Sequence, residues 1–149
     1  MTSMTGGCLC GAKRFTAEVA DDAKPYLCHC RMCQRASGNV SLAMLNVRQA
    51  DVRWDGEPDW YRSSPIAERP FCATCGTTLG FRFLEGSEMM DLTVAAFDDP
   101  SGFRPFSHFG AESIHRAWLN TEGLPEQRTD TYKALQDRWD KAGAAPPKL

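Results

Sequence analysis

The seven cysteines of this chain of 149 residues are the side chains best suited to chemistry. Three of them lie within six residues, which is denser than packing requires: Cys28, Cys30 and Cys33. Two sparser pairs flank this group, one upstream and one downstream: Cys8 with Cys10, and Cys72 with Cys75. Cysteines in short-spaced groups are typical zinc ligands, and thiols kept for metal suit a reducing compartment. The pattern therefore predicts a domain built around zinc.

The downstream pair has the sequence of a metal knuckle, a tight turn that aims two sulfurs inward. Two residues separate Cys72 from Cys75, and Gly76 follows directly. Glycine adopts the left-handed backbone conformation that such a turn needs after its second ligand. This spacing favours bound metal over free thiols.

The odd number of cysteines predicts two different sites. A structural zinc is nearly always held by four ligands, so seven thiolates make one site of four and one of three. The residues alone leave the pairing open, because Cys8 and Cys10 fit either the downstream pair or two of the central three. Loop-closure entropy mildly favours the more local choice. A zinc with three protein ligands and an exchangeable fourth position is the arrangement of catalytic sites, whereas a histidine or carboxylate in that position would make the site structural.

Histidines and arginines beside these motifs are further candidates. His29 stands between two predicted ligands, and we expect it to form hydrogen bonds near the metal rather than to bind it. His108 and His115 are remote in sequence but are able to supply a fourth ligand. A cationic rim that holds a small carboxylate is predicted from four arginines: Arg31, Arg35, Arg62 and Arg69.

Composition limits the class of protein. Apolar residues make up 42% and charged residues 24%, the balance of an ordinary globular domain, and the length suits one domain over residues 1–149. A net charge of −2 and a pI near 5.9 do not favour nucleic acid or anionic membrane as partners. We find no apolar run of about 18 residues and no signal-peptide pattern at residues 1–7, so we expect a cytoplasmic protein. The oligomeric state is left open.

Periodicity predicts mostly strands. Phe15, Ala17 and Val19 alternate with polar residues, which predicts a strand within 12–20 that has one buried face. A second strand is predicted at 40–47, through the core. Segments 52–54 and 60–62 look like short strands of a hairpin meander, while 1–7 is predicted to be loose.

Helices are expected at only two places. Residues 34–38 predict a short helical turn that ends at a glycine. Residues 131–141 predict the one longer helix, in which Tyr132, Leu135 and Trp139 form an apolar stripe. A frayed tail is expected at 144–149.

The ordered cysteine motifs resemble the glutathione-dependent formaldehyde-activating family, whose domain also occurs in centromere protein V. The likeness covers roughly residues 5–126 and excludes the helix and tail at 129–149. The motifs that carry it are Gly7-Cys8-Leu9-Cys10-Gly11, then Cys28-His29-Cys30 with Cys33-Gln34-Arg35-Ala36-Ser37-Gly38, then Phe71-Cys72-Ala73-Thr74-Cys75-Gly76.

This resemblance implies a mainly β fold, with several small coiled antiparallel sheets organised around zinc–cysteine sites and one C-terminal α-helix. It also implies the pairing of ligands. Cys8, Cys10, Cys72 and Cys75 match the family's structural zinc site, and the central three cysteines match a second zinc of catalytic type. Two zinc ions per chain are therefore expected.

The implied activity is that of a zinc-dependent carbon–sulfur lyase. Its substrates would be a small thiol such as glutathione and a small aldehyde, as in the condensation of glutathione with formaldehyde to S-hydroxymethylglutathione. Two alternatives are kept. One is a non-catalytic binding module or thiol carrier held together by zinc, and the other is a redox-responsive protein in which oxidation of the central three cysteines releases the metal.

Overall fold

The computed structural model describes residues 1–145, in two compact units, of which the first is Met1–His115 and the second begins at Arg116. Residues 146–149 of the predicted tail lie outside the described residues. The prediction of one domain across the whole chain stays a prediction.

The first unit consists of strands and one short α-helix, connected by turns. In chain order its elements are β1 (Thr2–Gly7), β2 (Arg14–Val19), β3 (Tyr26–Cys28), α1 (Arg31–Ser37), β4 (Leu42–Arg48), β5 (Val52–Asp55), β6 (Asp59–Ser64), β7 (Ala67–Phe71), β8 (Gly80–Phe83), β9 (Met89–Thr93) and β10 (Ser107–Phe109). Short 3-10 turns lie at Gln49–Asp51, Val94–Ala96 and Ala111–Ser113.

A three-stranded antiparallel sheet has the order β1-β2-β5. Its central strand confirms the alternation in the sequence, because Phe15, Ala17 and Val19 are all buried. The prediction that residues 1–7 are loose is wrong. Thr2–Gly7 pairs with β2 along its whole length. Backbone hydrogen bonds to a partner strand order this segment, whose small polar side chains give no such signal.

A seven-stranded sheet has the order β10-β3-β4-β9-β8-β7-β6. All its neighbours are antiparallel except β10 and β3, which run parallel. The strand predicted at 40–47 is confirmed as β4. The predicted hairpin between segments 52–54 and 60–62 is wrong, since β5 pairs with β2 while β6 pairs with β7 in the other sheet. Local turn signals cannot tell a hairpin from a crossing between sheets.

The buried apolar residues form two groups. In the larger group, Phe15 meets Trp54 and Phe97 edge-on, with ring centroids 5.6 and 5.1 Å away, and Leu45, Leu79 and Leu92 fill the space around them. Cys8 and Cys72 belong to this group. The smaller group joins Leu42 and Met44 to Cys28 and Cys33. Each group of cysteines is thus attached to a different part of the core.

The second unit contains α2 (Arg116–Leu119) and α3 (Lys133–Ala142). The second of these confirms the predicted C-terminal helix, which ends at Gly143. Leu135 and Trp139 are half-buried, whereas Tyr132 caps the helix and is exposed. The predicted fold class, mainly β with a C-terminal helix, is confirmed. Within residues 1–145, none of the helices combines the length and the apolar character needed to cross a membrane.

Candidate metal centres

One group of four cysteines brings together the upstream and downstream pairs. The sulfurs of Cys8, Cys10, Cys72 and Cys75 all lie within 4.8 Å of one another. The Sγ atoms of Cys8 and Cys10 are 3.5 Å apart, and those of Cys10 and Cys72 are 3.7 Å apart. We call this set the four-sulfur group. Of the pairings that the sequence left open, the structure brings these two pairs together.

Two similar turns present the four sulfurs. In the downstream turn, the N–H of Gly76 donates to the carbonyl of Cys72 at 2.7 Å, and Gly76 has a φ of 78°. The left-handed backbone expected after the knuckle is therefore present. In the upstream turn, the N–H of Cys8 donates to the carbonyl of Lys13 at 2.9 Å. The N–H of Leu9 reaches the hydroxyl of Thr77 at 3.1 Å, which ties one turn to the other.

The remaining three cysteines form a second set, the three-sulfur group. The sulfurs of Cys28, Cys30 and Cys33 also lie within 4.8 Å of one another. Cys28 ends β3, Cys30 caps the start of α1, and Cys33 lies in the first turn of that helix. The Cys30 sulfur accepts the backbone N–H of Cys33 at 3.4 Å, which is the capping bond of the helix. Within residues 1–145, no histidine nitrogen or carboxylate oxygen belongs to this group.

The segment around β10 supports the three-sulfur group from the side. The N–H of His29 donates to the carbonyl of Phe109 at 2.8 Å. Gly110 follows with a φ of 68°, and a Cβ at this position would come within 2.7 Å of the Cys30 backbone nitrogen. Only glycine combines this backbone conformation with so close an approach. This support was not predictable from the sequence, because residues 103–124 lack a regular pattern.

His29 is completely buried, and its Nε2 lies 2.9 Å from Nδ1 of His108. The sequence predicted a hydrogen-bonding role for His29, and the structure gives it this partner. Within residues 1–145, neither His108 nor His115 belongs to either sulfur group. His29 stands between Cys28 and Cys30 along the chain, so its contact with His108 ties this segment to β10.

Both groups fit a tetrahedral thiophilic metal. Sulfurs 3.5 Å apart are too far for a disulfide bond, and all seven cysteines are free. A zinc ion with Zn–S bonds of about 2.3 Å would set neighbouring sulfurs about 3.8 Å apart. The observed separations of 3.5 to 3.7 Å are close to that value. Cysteine-only donor sets also favour zinc over the hard cations that prefer oxygen.

The pKa values of the cysteines in the three-sulfur group also favour a bound cation. A hydrogen bond from Cys28 and the guanidinium of Arg69 lower the pKa of Cys33 to about 5. The bond to Cys33, together with burial, raises the pKa of Cys28. One thiolate thus opposes the ionisation of the next thiol. A bound divalent cation removes this opposition, so the group can hold three thiolates at once.

The structure separates the four candidate arginines. Arg69 is only 4% exposed, donates from Nη2 to the Cys33 sulfur at 3.4 Å and lies over the ring of Phe81. Arg31 bonds to the side chain of Gln34, and Arg62 to the carbonyl of Pro65. Arg35 is exposed and lines a cavity together with Arg69. Of the four arginines in the predicted cationic rim, Arg35 and Arg69 line the same cavity, and the binding of a carboxylate stays a prediction.

This cavity, of about 530 Å³, borders the helix that carries Cys33. The hydroxyl of Thr78 donates to the carbonyl of Ala36 at 2.8 Å and joins two sides of it. The residues that line it are Met32, Arg35, Ala36, Tyr61, Ser63, Arg69, Phe71, Gly76 and Thr78. Sequence reasoning missed most of them, because they come from α1, two strands and a knuckle that meet only in the fold.

Comparison with known proteins gives three findings. The family model "Glutathione-dependent formaldehyde-activating enzyme" matches residues 3–113, which include all seven cysteines. An uncharacterized lyase of Schizosaccharomyces pombe is 34% identical over 86 residues, which are 58% of this chain and 62% of that protein. The chain thus spans less than two thirds of that relative's length. A crystal structure of a Rhodobacter sphaeroides protein is similar with a TM-score of 0.57 and 23% identity, covering 70% of this chain and 99% of that one, which supports the fold alone.

Proposed function

The chain belongs to the glutathione-dependent formaldehyde-activating enzyme family, and on that basis we propose that it is a zinc-dependent carbon–sulfur lyase. Its substrate would be the adduct of a small thiol and a small aldehyde, with glutathione and formaldehyde as the reference pair. The observation that carries this proposal is the three-sulfur group, in which Cys33 contacts an arginine that lines a cavity.

The two groups would hold one zinc ion each and play different roles. The four-sulfur group fills all four positions of a tetrahedron, as structural sites do. Cys28, Cys30 and Cys33 would hold the second ion and leave one position for a substrate thiol. A zinc ion held by these three cysteines would keep the substrate thiol ionised at neutral pH and hold it beside an aldehyde.

The residues of the chain would limit and direct this chemistry. Cys28 and Cys33 are buried and Cys30 is half-buried. We place the entry of the substrate sulfur on the cavity side, because Arg69 both contacts the Cys33 sulfur and lines the cavity. The hydrogen bond from Arg69 withdraws negative charge from the Cys33 sulfur. Three thiolates carry more charge than one divalent ion, so the guanidinium of Arg69 would offset part of the remaining negative charge. The site is thus better suited to holding and releasing a thiol than to strong polarisation of a carbonyl group.

The alternative functions find less support in the geometry. A redox switch needs accessible thiolates, whereas Cys28 and Cys33 are 3% and 4% exposed and Cys30 is half-buried. A thiol carrier needs no cavity beyond the sulfur itself. Free cysteines in this number also suit the reducing cytoplasm, which we propose as the location.

The test is an exchange measurement on the zinc-loaded protein. Elemental analysis should first give two zinc ions per chain. Exchange between glutathione and S-hydroxymethylglutathione, followed by NMR in the presence of formaldehyde, should then be faster than with the same concentration of zinc in buffer. A protein with both ions that accelerates exchange for no thiol and no aldehyde would contradict the proposed function.

A further inference from the structure

We propose that the cavity beside the three-sulfur group binds the aldehyde-derived half of the adduct, that this half carries an apolar substituent, and that Arg69 holds its oxygen. The preferred substrates would then be adducts of aliphatic or aromatic aldehydes larger than formaldehyde. This inference rests on the proposed function and names the substrate class of the same site.

The size of the cavity argues for a substituent. About 530 Å³ falls within the range of about 300 to 1,000 Å³ that is typical of small-molecule sites. Formaldehyde has only two heavy atoms, and one water molecule occupies about 30 Å³ of liquid. An adduct of formaldehyde would therefore leave nearly all of the cavity unfilled.

The lining argues for an apolar group rather than for the peptide of glutathione. Met32, Ala36, Tyr61 and Phe71 supply much of the wall. Among the described residues, those that line the cavity include no aspartate or glutamate. Arg35 and Arg69 would pair with the carboxylates of glutathione, but its α-ammonium would enter without a carboxylate partner, and desolvation of a charge without a partner is costly. An alkyl or aryl group meets no such cost and gains from leaving water.

Arg69 supplies the polar contact. Its Nη2 donates to the Cys33 sulfur, while its Nη1 is buried and has no hydrogen-bond partner among the described residues. Buried N–H groups of this kind are rare, because each forfeits the hydrogen bonds that water would have made. Arg69 is also among the residues that line the cavity. An oxygen on the carbon that bonds to the substrate sulfur would meet this need.

The reaction places charge on that oxygen. In the addition, the substrate thiolate forms a bond from sulfur to the carbonyl carbon, and the π pair of the C=O bond moves to oxygen, which then takes a proton. In the reverse direction the hydroxyl loses its proton, the C=O bond re-forms and the sulfur leaves with the bonding pair. One proton leaves the thiol when it ionises and one proton is taken up by the oxygen, so the reaction as a whole neither gains nor loses a proton. Arg69 would stabilise the alkoxide in both directions.

The first experiment varies the aldehyde. Zinc-loaded protein is assayed with glutathione and formaldehyde, acetaldehyde, butanal or hexanal, each rate being divided by the uncatalysed rate of the same pair. We expect kcat/KM to rise about 3-fold per methylene group. Ala36→Phe, which fills the cavity, should abolish this rise, whereas Ala50→Phe, an exposed position outside the cavity, should keep it. A profile that is flat or falls with chain length in the wild type would overturn the inference.

The second experiment measures binding without turnover. Calorimetric titration of zinc-loaded protein with the unreactive thioethers S-methylglutathione and S-hexylglutathione should show at least 10-fold tighter binding of the hexyl compound. Ala36→Phe should remove that difference. Equal affinities of the two compounds for the wild type would contradict an apolar cavity.

The third experiment separates Arg69 from a merely structural role. Arg69→Gln should lower kcat about 100-fold, the loss typical of removing one oxyanion donor. The affinity for S-hexylglutathione, which lacks the oxygen, should change less than about 3-fold, and both zinc ions should remain. Arg69→Lys should recover part of the rate, and Arg53→Gln, an exposed arginine in β5, should match the wild type. If kcat, thioether affinity and zinc content fall together in both Arg69 variants, the oxygen contact is overturned.

The outcomes also distinguish this inference from the proposed function. If the zinc-loaded protein accelerates exchange for no aldehyde of the series, the function itself fails. If it accelerates exchange for formaldehyde alone, the function stands and the cavity assignment fails.

Discussion

The two sulfur groups use the same donor atom but join very different parts of the chain. The four-sulfur group connects the turn after β1, in the three-stranded sheet, to the turn after β7, in the seven-stranded sheet. The three-sulfur group lies within residues 28–33, where the backbone already keeps the cysteines close. Because the gain from a cross-link grows with the loop that it closes, the first group is placed to hold the fold together. We expect the second to add little to stability.

The surroundings of the two sulfur groups also favour a structural role for the first and a chemical role for the second. Cys8 and Cys72 are part of the larger apolar group, so their sulfurs continue the core. Cys33 belongs to the smaller group and touches Arg69, which lines the cavity. A metal site that completes a core is a structural element, whereas one beside a cavity is accessible to a ligand. Four predictions test this contrast, in order of decreasing effect.

Cys75→Ser should have the largest effect, because it removes one sulfur of the four-sulfur group, which joins the two sheets. Structural zinc contributes on the order of 10 kcal/mol, which is comparable with the stability of a whole domain. We expect an insoluble or molten protein, detected by loss of near-ultraviolet circular dichroism and of sharp NMR signals. A variant that stays folded without this zinc would show that the cores alone hold the sheets together.

Cys33→Ser is the matched change in the other group. We expect a folded protein that contains one zinc ion instead of two and has lost thiol-dependent exchange, as measured by elemental analysis and NMR. The reason is that three cysteines within six residues close no long loop. If this variant unfolds as completely as Cys75→Ser, both groups are structural and the contrast fails.

Gly110→Ala should weaken the three-sulfur group alone. Its Cβ would lie 2.7 Å from the Cys30 nitrogen, in addition to the strain of an alanine at positive φ. We expect a destabilisation of about 2 kcal/mol, which combines backbone strain with displacement of Cys30, and faster loss of one zinc to a chelator.

Gly86→Ala is the control, because Gly86 has a φ of 75° and no atom within 4 Å of its Cβ position. It should show the strain without the change in zinc release. Equal zinc release by the two variants would mean that Gly110 does not position Cys30.

Asp98→Asn should have the smallest effect. It removes contacts to β1 and β2, the strands on either side of the turn that carries Cys8 and Cys10. Arg14, in β2, bonds to both carboxylate oxygens of Asp98, and Thr5, in β1, donates to one of them. These bonds lower the pKa of Asp98, so their contribution is present at neutral pH and is lost as the pH falls below about 4. Both side chains of the ion pair are more than a third exposed, so solvent screening keeps the effect below about 1 kcal/mol.

The measurement is urea denaturation of zinc-loaded wild type and variant at pH 7 and at pH 5. The variant should be slightly less stable by a similar amount at both values, since Asp98 is ionised at both. A difference that disappears already at pH 5 would contradict the lowered pKa.

Local sequence signals predicted much of the fold and the composition of the site. The alternation at Phe15, Ala17 and Val19 located β2, and the run that ends at Gly38 located α1. The knuckle at Cys72, Cys75 and Gly76 has the backbone that its spacing predicts. These features depend on residues that are close along the chain, so their conformational preferences can be read directly from the sequence.

Long-range pairing was beyond the sequence. The small residues of β1 gave no strand signal, and the hairpin predicted across 52–62 is divided between two sheets. Backbone N–H and C=O groups pair wherever a partner edge is available, whatever their side chains are. Sheet membership is therefore a property of the assembled chain.

The sequence by itself thus determined that seven cysteines stand in three short groups, with the geometry to present sulfur to a metal. The spacing of the cysteines left their pairing open, and the structure brings together the groups that the family resemblance implied. Only the tertiary structure showed which of four similar arginines lies against a cysteine sulfur. Arg69 differs from Arg31, Arg35 and Arg62 in being buried against the Cys33 sulfur with one nitrogen unpartnered, and nothing in its neighbours along the chain sets it apart. Burial is the physical reason for this difference, because it removes the water that would otherwise solvate a guanidinium and leaves the charge to act on the sulfur beside it.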